Sequence, residues 1–367
     1  MRQAALRGEG SAVAVDTVTA NRASITHEFL LQQAPFIAAA LLLGYVSAHL
    51  QHGFVPNGDQ PYPLAQVRVP VWHVVWMGAW TGYTMAIVGQ AAGIFALPYS
   101  TSVLQFSNVH VTPSTLLLTF LNPIGALLGF RRTGQWNLDF AGWLCAGGVM
   151  GGLTGPFLRS TVLSATGPFR FALGLVLVLV GAQLCYKAFG GFSAGTSAPA
   201  ARDAAVGSAG SRIETLANGR GRLTIGYMGQ RWTLNIGMLF AIGAAVGVIS
   251  SALGLGGAFL IVPILVAVYK LPMYVVPAAT IPYAVVLSAM GLFTYCVILP
   301  LTGAQAIQPE WAWGFFAAAG GIFGSWAAAK TQLYIPEHLL DIMLGSVTGI
   351  VGVLYVVNFF VPLPFKV

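Results

Sequence analysis

Charge is what this sequence has least of. Only 7% of its 367 residues are Asp, Glu, Lys or Arg, against 56% hydrophobic, and the mean hydropathy is +0.77. So small a polar complement cannot cover a soluble globule of this length, which excludes that class. Cysteine is nearly missing too: Cys145, Cys185 and Cys296 are odd in number, far apart and inside apolar segments, so they imply neither a disulfide framework nor a zinc cluster. Residues 1–27 are polar, with Arg2, Arg7 and Arg22, and lack the apolar core and small-residue cleavage site of a secretory signal, so the first span is expected to be retained. No nucleophile–base set or P-loop occurs, which leaves an enzyme without support and no cofactor expected. The ten-residue alternation of an outer-membrane barrel is absent as well.

What is present is a series of apolar runs of roughly 18 residues or more, the length that crosses about 30 Å of hydrocarbon as helix. The fold class expected is an all-α polytopic membrane protein. In that setting the net charge of +7 reflects basic cytoplasmic loops rather than nucleic-acid binding.

The sequence also matches itself. Gly82 aligns with Gly247, Gly89 with Gly254, Pro98 with Pro263 and Thr115 with Thr280, all 165 residues apart. Further on, Asp139 aligns with Glu310, Arg159 with Lys330, Gly174 with Gly345 and Gly181 with Gly352, all 171 apart. A constant offset held by paired prolines and like-charged pairs indicates internal duplication. Each repeat has four segments: a long broken one (71–107 and 233–268), then three plain ones (112–130, 138–158, 168–188; and 275–299, 310–329, 338–361). The expected organisation is a cytoplasmic tail over 1–28, an extra transmembrane helix over 29–50, a first membrane repeat over 71–188, a flexible basic cytoplasmic linker over 189–232 and a second membrane repeat over 233–361.

Basic residues test the path of the broken segments, since they favour the cytoplasmic side. If each broken segment crosses once, Arg2, Arg7, Arg22, Arg159, Arg170, Lys270 and Lys330 fall outside. If each instead dips in and returns, only Arg68, Arg159, Arg170 and Lys366 of the 17 basic residues do. The re-entrant path fits better, gives each repeat three crossings, and so makes the two repeats inverted in topology.

"SALGLGGAFLIVP" (251–263) carries Gly254, Gly256, Gly257 and Pro263 in the middle of an apolar run. Non-helical backbone at membrane depth persists only where protein buries it or a wet cavity meets it. Inverted repeats with discontinuous helices are an arrangement of secondary transporters, whose site lies near the midplane. A half-helix beginning near Gly256 would direct N–H groups and its positive dipole end at an anion. By contrast, "GGVMGG" (147–152) and "GGIFG" (320–324) read as close helix packing.

The run "GVISSALGLGGAFLIVPILVAVYKLPMYVVPAATIPYAVVLSAMG" resembles the signature of the sulfite exporter TauE/SafE family, G-x-x-S-x-x-x-G-x-G-G-x-x-x-x-P followed by a segment with Pro and Thr. The first half departs from it, with Ala91 and Ala92 in "GQAAGIFALP" where the family favours glycines. The resemblance implies a permease for a small sulfur oxyanion or sulfonate in the bacterial inner membrane, its partners being that anion and the lipid bilayer, with no nucleic acid; a homodimer is left open.

Substrate-binding candidates are Gln90, Gly93, Thr115, Asn122, Ser251, Gly254, Gly256, Gly257, Thr280 and Tyr283, with Ser250 beside them: amides and hydroxyls are costly in hydrocarbon unless partnered, and glycines let an anion approach backbone. Arg159 and Lys330, ending their helices, would attract anions at the two mouths, while also suiting the negative helix termini. Asp139 and Glu310, at the starts of the same helices, are the carboxylates placed for proton coupling. An alternative from another class is a membrane redox or metal protein using His49, His52 and His73.

Overall fold

In lipid a backbone must satisfy its own polar groups, so the apolar runs fold as helices. The computed structural model describes residues 31, 33–55, 58–88, 92–106, 108–123, 137–189, 213–219, 221–227, 229–271, 275–331 and 337–361. The 1–28 tail, Gln90 and the 190–212 part of the linker lie outside the described residues. In chain order come α1 (Ala34–His52), a hairpin of β1 (Asp59–Tyr62) and β2 (Val67–Pro70), then α2 (Val71–Val88), α3 (Gly93–Pro98), α4 (Val111–Leu121), α5 (Leu138–Thr161) and α6 (Thr166–Ala188). A three-stranded sheet of β3 (Glu214–Gly219), β4 (Arg222–Tyr227) and β5 (Gln230–Asn235) leads into α7 (Ile236–Leu253), α8 (Ala258–Tyr269), α9 (Pro277–Phe293), α10 (Trp311–Thr331) and α11 (Glu337–Phe360). Wide π-type turns, Tyr99–Val103 and Thr294–Ile298, extend α3 and α9.

Among the described residues five stretches are long and apolar enough to cross a membrane: Ala34–Gln51, Thr166–Tyr186, Ile236–Leu253, Ala278–Leu301 and Asp341–Phe360. The chain is a multi-pass membrane protein. It is mostly helical, but the all-α expectation needs correcting, because both sheets are antiparallel β structure. The expected 189–232 linker is likewise corrected from Glu214 on. Leu223, Ile225 and Tyr227 alternate with Arg222, Thr224 and Gly226, so β4 buries one face, joined by Leu234 and Ile213, against Phe140 and Leu239. The strands there are short, six residues each, and interspersed with Gly and Arg, so their period of two is passed over by a helix-oriented reading.

Helix pairing is governed by glycine. Along α5, Gly147 meets Phe240 O and Ala244 N, and Gly151 meets Gly247 and Val248, so closely that a Cβ on Gly147 would lie 2.2 Å from Phe240 O. Partner numbers rise together, so α5 and α7 run in the same sense. The pairing of α2 with α10 repeats this pattern: Gly320 meets Val75 O and Ala79 N, and Gly324 meets Ala79 and Tyr83. Gly147 of α5 and Gly320 of α10, 173 residues apart, thus hold like places in the two pairings, and Asn137 and Glu310, also 173 apart, each stand just ahead of these helices. α6 and α11 pack antiparallel: Gly174 of α6 rests on Gly352 and Tyr355, and Gly181 on Gly349 and Gly345.

Both broken segments turn back on themselves. Tyr99, after α3, places its hydroxyl 2.8 Å from Nε2 of His73 at the start of α2. Tyr269 at the end of α8 directs its hydroxyl to Asn235 O, just before α7, at 3.4 Å.

Candidate functional site

The break between α7 and α8 is built from three left-handed glycines: Gly254 (φ 87°), Gly256 (φ 82°) and Gly257 (φ 78°). A β-carbon is disfavoured at such φ values, so other residues would be strained there. Gly254 N–H and Leu255 N–H both donate to Ser250 O, which closes α7. α8 then starts at Ala258 with 12 residues, long enough to carry a dipole.

Around this break the chain is packed backbone to backbone. A Cβ on Gly254 would lie 2.4 Å from Thr115 Oγ1 and 2.8 Å from Thr112 O, and one on Gly93 would lie 2.7 Å from Gly254 O. The first residue of α3 thus rests on the break of the other half. Next to Gly257 stand the Tyr283 ring and the hydroxyl of Ser250, whose Oγ is 3.3 Å from the position of a Gly257 Cβ. Ser250 is fully buried and, among the described residues, its Oγ has no hydrogen-bond partner, an uncommon state for a buried hydroxyl.

The other hydroxyl candidates are engaged. Ser251 Oγ donates to Gly247 O (2.7 Å) and Gly151 O (2.8 Å), Thr115 Oγ1 to Thr112 O (2.9 Å), Thr280 Oγ1 to Val276 O (3.3 Å) and Tyr283 to Gly243 O (2.7 Å). Asn122 Oδ1 accepts from Ser325 Oγ at 3.3 Å. Thr119 and Ser288, which the sequence did not single out, bond across α4 and α9 at 3.1 Å. Nothing in one sequence distinguishes their hydroxyls from ordinary helix threonines and serines, which bond a preceding carbonyl.

The charged candidates separate. Arg159 was expected at a mouth but is buried, 1% exposed, with Nε donating to Thr112 Oγ1 at 3.0 Å. Lys330 lies in α10, its side chain outside what is described. Asp139 is exposed and accepts from Asn218 Nδ2 at 3.2 Å, whereas Glu310 is fully buried and its Oε2 accepts from Leu64 N (2.9 Å) and Ala65 N (3.3 Å) of the β1–β2 turn. Burial holds the Glu310 carboxyl above its ordinary range, opposed by those two N–H groups and by Gln51. As for the histidines, His49 stacks on Tyr45, His73 is bonded to Tyr99, and the His52 side chain is outside the description. Among the described residues no three His, Cys, Asp or Glu side chains gather as metal ligands do.

No curated protein matches the chain, and no solved structure does. The family of permeases described as sulfite exporter TauE/SafE does match, over residues 18–184 and 74–355. With most of its length covered in this way, the chain belongs to the sulfite exporter TauE/SafE family.

Proposed function

We propose that this protein is a secondary transporter that carries a small sulfur-containing anion, sulfite or an organosulfonate, across a bacterial inner membrane, with net export. The observation that carries the proposal is the break at Gly254–Gly257, where the N-terminal end of α8 meets the unpartnered, buried hydroxyl of Ser250. Helix N–H groups and a hydroxyl donor suit an oxyanion, and left-handed glycines keep side chains away from it. Thr115, Tyr283 and Gly93 shape the walls, while Ser251 ties α7 to Gly151 O of α5. Membership of a permease family supports transport over catalysis.

The membrane path is two inverted repeats, each with a re-entrant broken segment. Supporting it are the return of α3 to His73 and of α8 to Asn235, and the antiparallel crossing of α6 with α11. The 213–235 sheet then lies in the cytoplasm and the β1–β2 hairpin outside.

Purified protein in proteoliposomes, offered sulfite, sulfate, thiosulfate and small sulfonates, tests this. Saturable flux of sulfite or a sulfonate is expected. Inert vesicles, or protein purifying with stoichiometric haem or metal, would overturn it.

A further inference from the structure

Following α5 beside α7, Gly147 passes Phe240 and Ala244, Gly151 passes Gly247 and Val248, and Gly155 passes Val248, Ser251 and Ala252. One turn further is Arg159, level with Leu255, where α7 has already ended. Its guanidinium therefore lies at the level of the break, between the first turn of α4 and Phe169 of α6. Thr112 links the two: its Oγ1 accepts from Arg159 Nε at 3.0 Å, and its carbonyl oxygen is 2.8 Å from where a Cβ on Gly254 would sit. On its other sides Arg159 donates from Nη1 to Leu163 O and lies 4.0 Å over the Phe169 ring. Tyr295, within Coulombic reach, is itself donating to Ser251 O at 3.1 Å.

Every one of these partners is neutral. Among the described residues no carboxylate pairs with Arg159, and two of its five N–H donors are taken, by Thr112 and Leu163. Arginine stays charged, and a lone charge taken out of water costs several kcal/mol. Ending α5 explains one bond to Leu163 O; it does not explain why the guanidinium is buried against Thr112, whose carbonyl abuts the break. Ionisable residues buried in a membrane bundle are costly and commonly mark a substrate or ion pathway.

We propose that Arg159 is the counter-charge of the transported anion, binding two oxygens of a sulfite or sulfonate group beside the Gly254–Gly257 break. This rests on the transport function proposed above. A planar guanidinium offers paired N–H groups to such an anion, which an ammonium does not. Because Arg159 is buried here, the anion reaches it when the transport cycle opens the break to one side.

The test uses the full chain in proteoliposomes with sulfite as the probe, and sulfite-dependent thermal stabilisation of the detergent-solubilised protein as a second readout. Arg159→Lys is expected to raise KM about tenfold at similar kcat and to shrink the thermal shift. Arg159→Gln should raise KM at least a hundredfold or abolish flux, and remove the thermal shift. Wild-type KM and thermal shift in a folded Arg159→Gln variant would overturn the proposal while leaving sulfite transport standing. Should Arg159→Gln fail to fold, Arg159→Lys decides, with an unchanged KM counting against the proposal. An inert wild type would instead overturn the transport function itself.

Discussion

Asn137 and Glu310 each stand one residue ahead of a helix and tie it to a small sheet, the first with an amide and the second with a carboxylate. Asn137 Nδ2 donates to Ile213 O (3.2 Å) and Thr215 Oγ1 (3.0 Å) beside β3, while Glu310 Oε2 accepts from Leu64 and Ala65 between β1 and β2. A neutral group therefore suffices for this anchoring, and the ionisable group at Glu310 adds a dependence on pH.

The sign of that dependence follows from burial. Glu310 holds its proton more tightly when folded than its ordinary value of 4.5, so its contribution is full below that value and is lost as pH rises through the raised one. Among the described residues, Tyr62, from the hairpin, and His110, bonded to Gln308 O, are ionisable groups nearby. Glu310→Gln should flatten thermal stability over that window and be no less stable than wild type at pH 7, as measured by unfolding in detergent across pH. An unchanged slope would place the dependence on another group.

Gly257 and Gly303 share a left-handed backbone, φ 78° and 76°, but only Gly257 is crowded, with a Cβ position 2.7 Å from Tyr283 Cε1. Alanine at either position should cost about 1–2 kcal/mol of backbone strain. Flux assays should find Gly303→Ala transporting normally and Gly257→Ala severely impaired. Equal flux in the two variants would remove Gly257 from the site.

Close packing of α5 on α7 predicts a contrast within one helix. A Cβ on Gly151 would lie 2.5 Å from Gly247 Cα, whereas Gly142 has nothing within 4 Å. Gly151→Leu should destabilise by about 3 kcal/mol or more through overpacking, and Gly142→Ala should stabilise by roughly 0.5–1 kcal/mol through helix propensity. Thermal unfolding of the two purified variants reads both effects.

Single cysteines map the sides of the membrane. Since Tyr269 reaches back to Asn235, Lys270→Cys and Gln230→Cys should label from the same, cytoplasmic, face and Asp59→Cys from the other. Labelling of Lys270→Cys from the outside would mean that α7 and α8 cross the membrane as one span.

A membrane potential negative inside favours anion exit by roughly 2.3 kcal/mol per charge per 100 mV. Vesicles loaded with sulfite should accordingly release it faster when the cytoplasmic face of the protein is made negative. Efflux governed only by a proton gradient would point to coupling, with Glu310 the acid to examine because Asp139 is exposed to solvent.

The helices were legible because apolar runs, charge placement and paired prolines leave few alternatives: the broken segment expected at 233–268 is found as α7 and α8, parted at Gly254. The 213–235 sheet was not legible as such, since its alternation spans few residues inside a Gly- and Arg-rich stretch. At the site, glycine spacing located the break but could not tell Ser250, with its free hydroxyl, from Ser251, whose Oγ is held by Gly247 and Gly151. Arg159 was visible as a helix-terminal cation, and its burial depends on the parallel course of α5 and α7, which pairs residues about a hundred positions apart. The same long-range packing sets Asn137 and Glu310 in like places ahead of α5 and α10, a likeness that charge, which links Glu310 with Asp139, does not reveal.

Gly93 and Gly254 touch at bare backbone, with no side chain between them to yield. Compressible contacts let neighbours move separately; this one behaves like the meshed teeth of two gears. In the transport cycle proposed above, a hairpin of either half that swung outward would have to push or release the other. In that cycle the first half, whose sequence around Ala91 and Ala92 is poor in the glycines of the family signature, would have a mechanical task even where it contributes little chemistry.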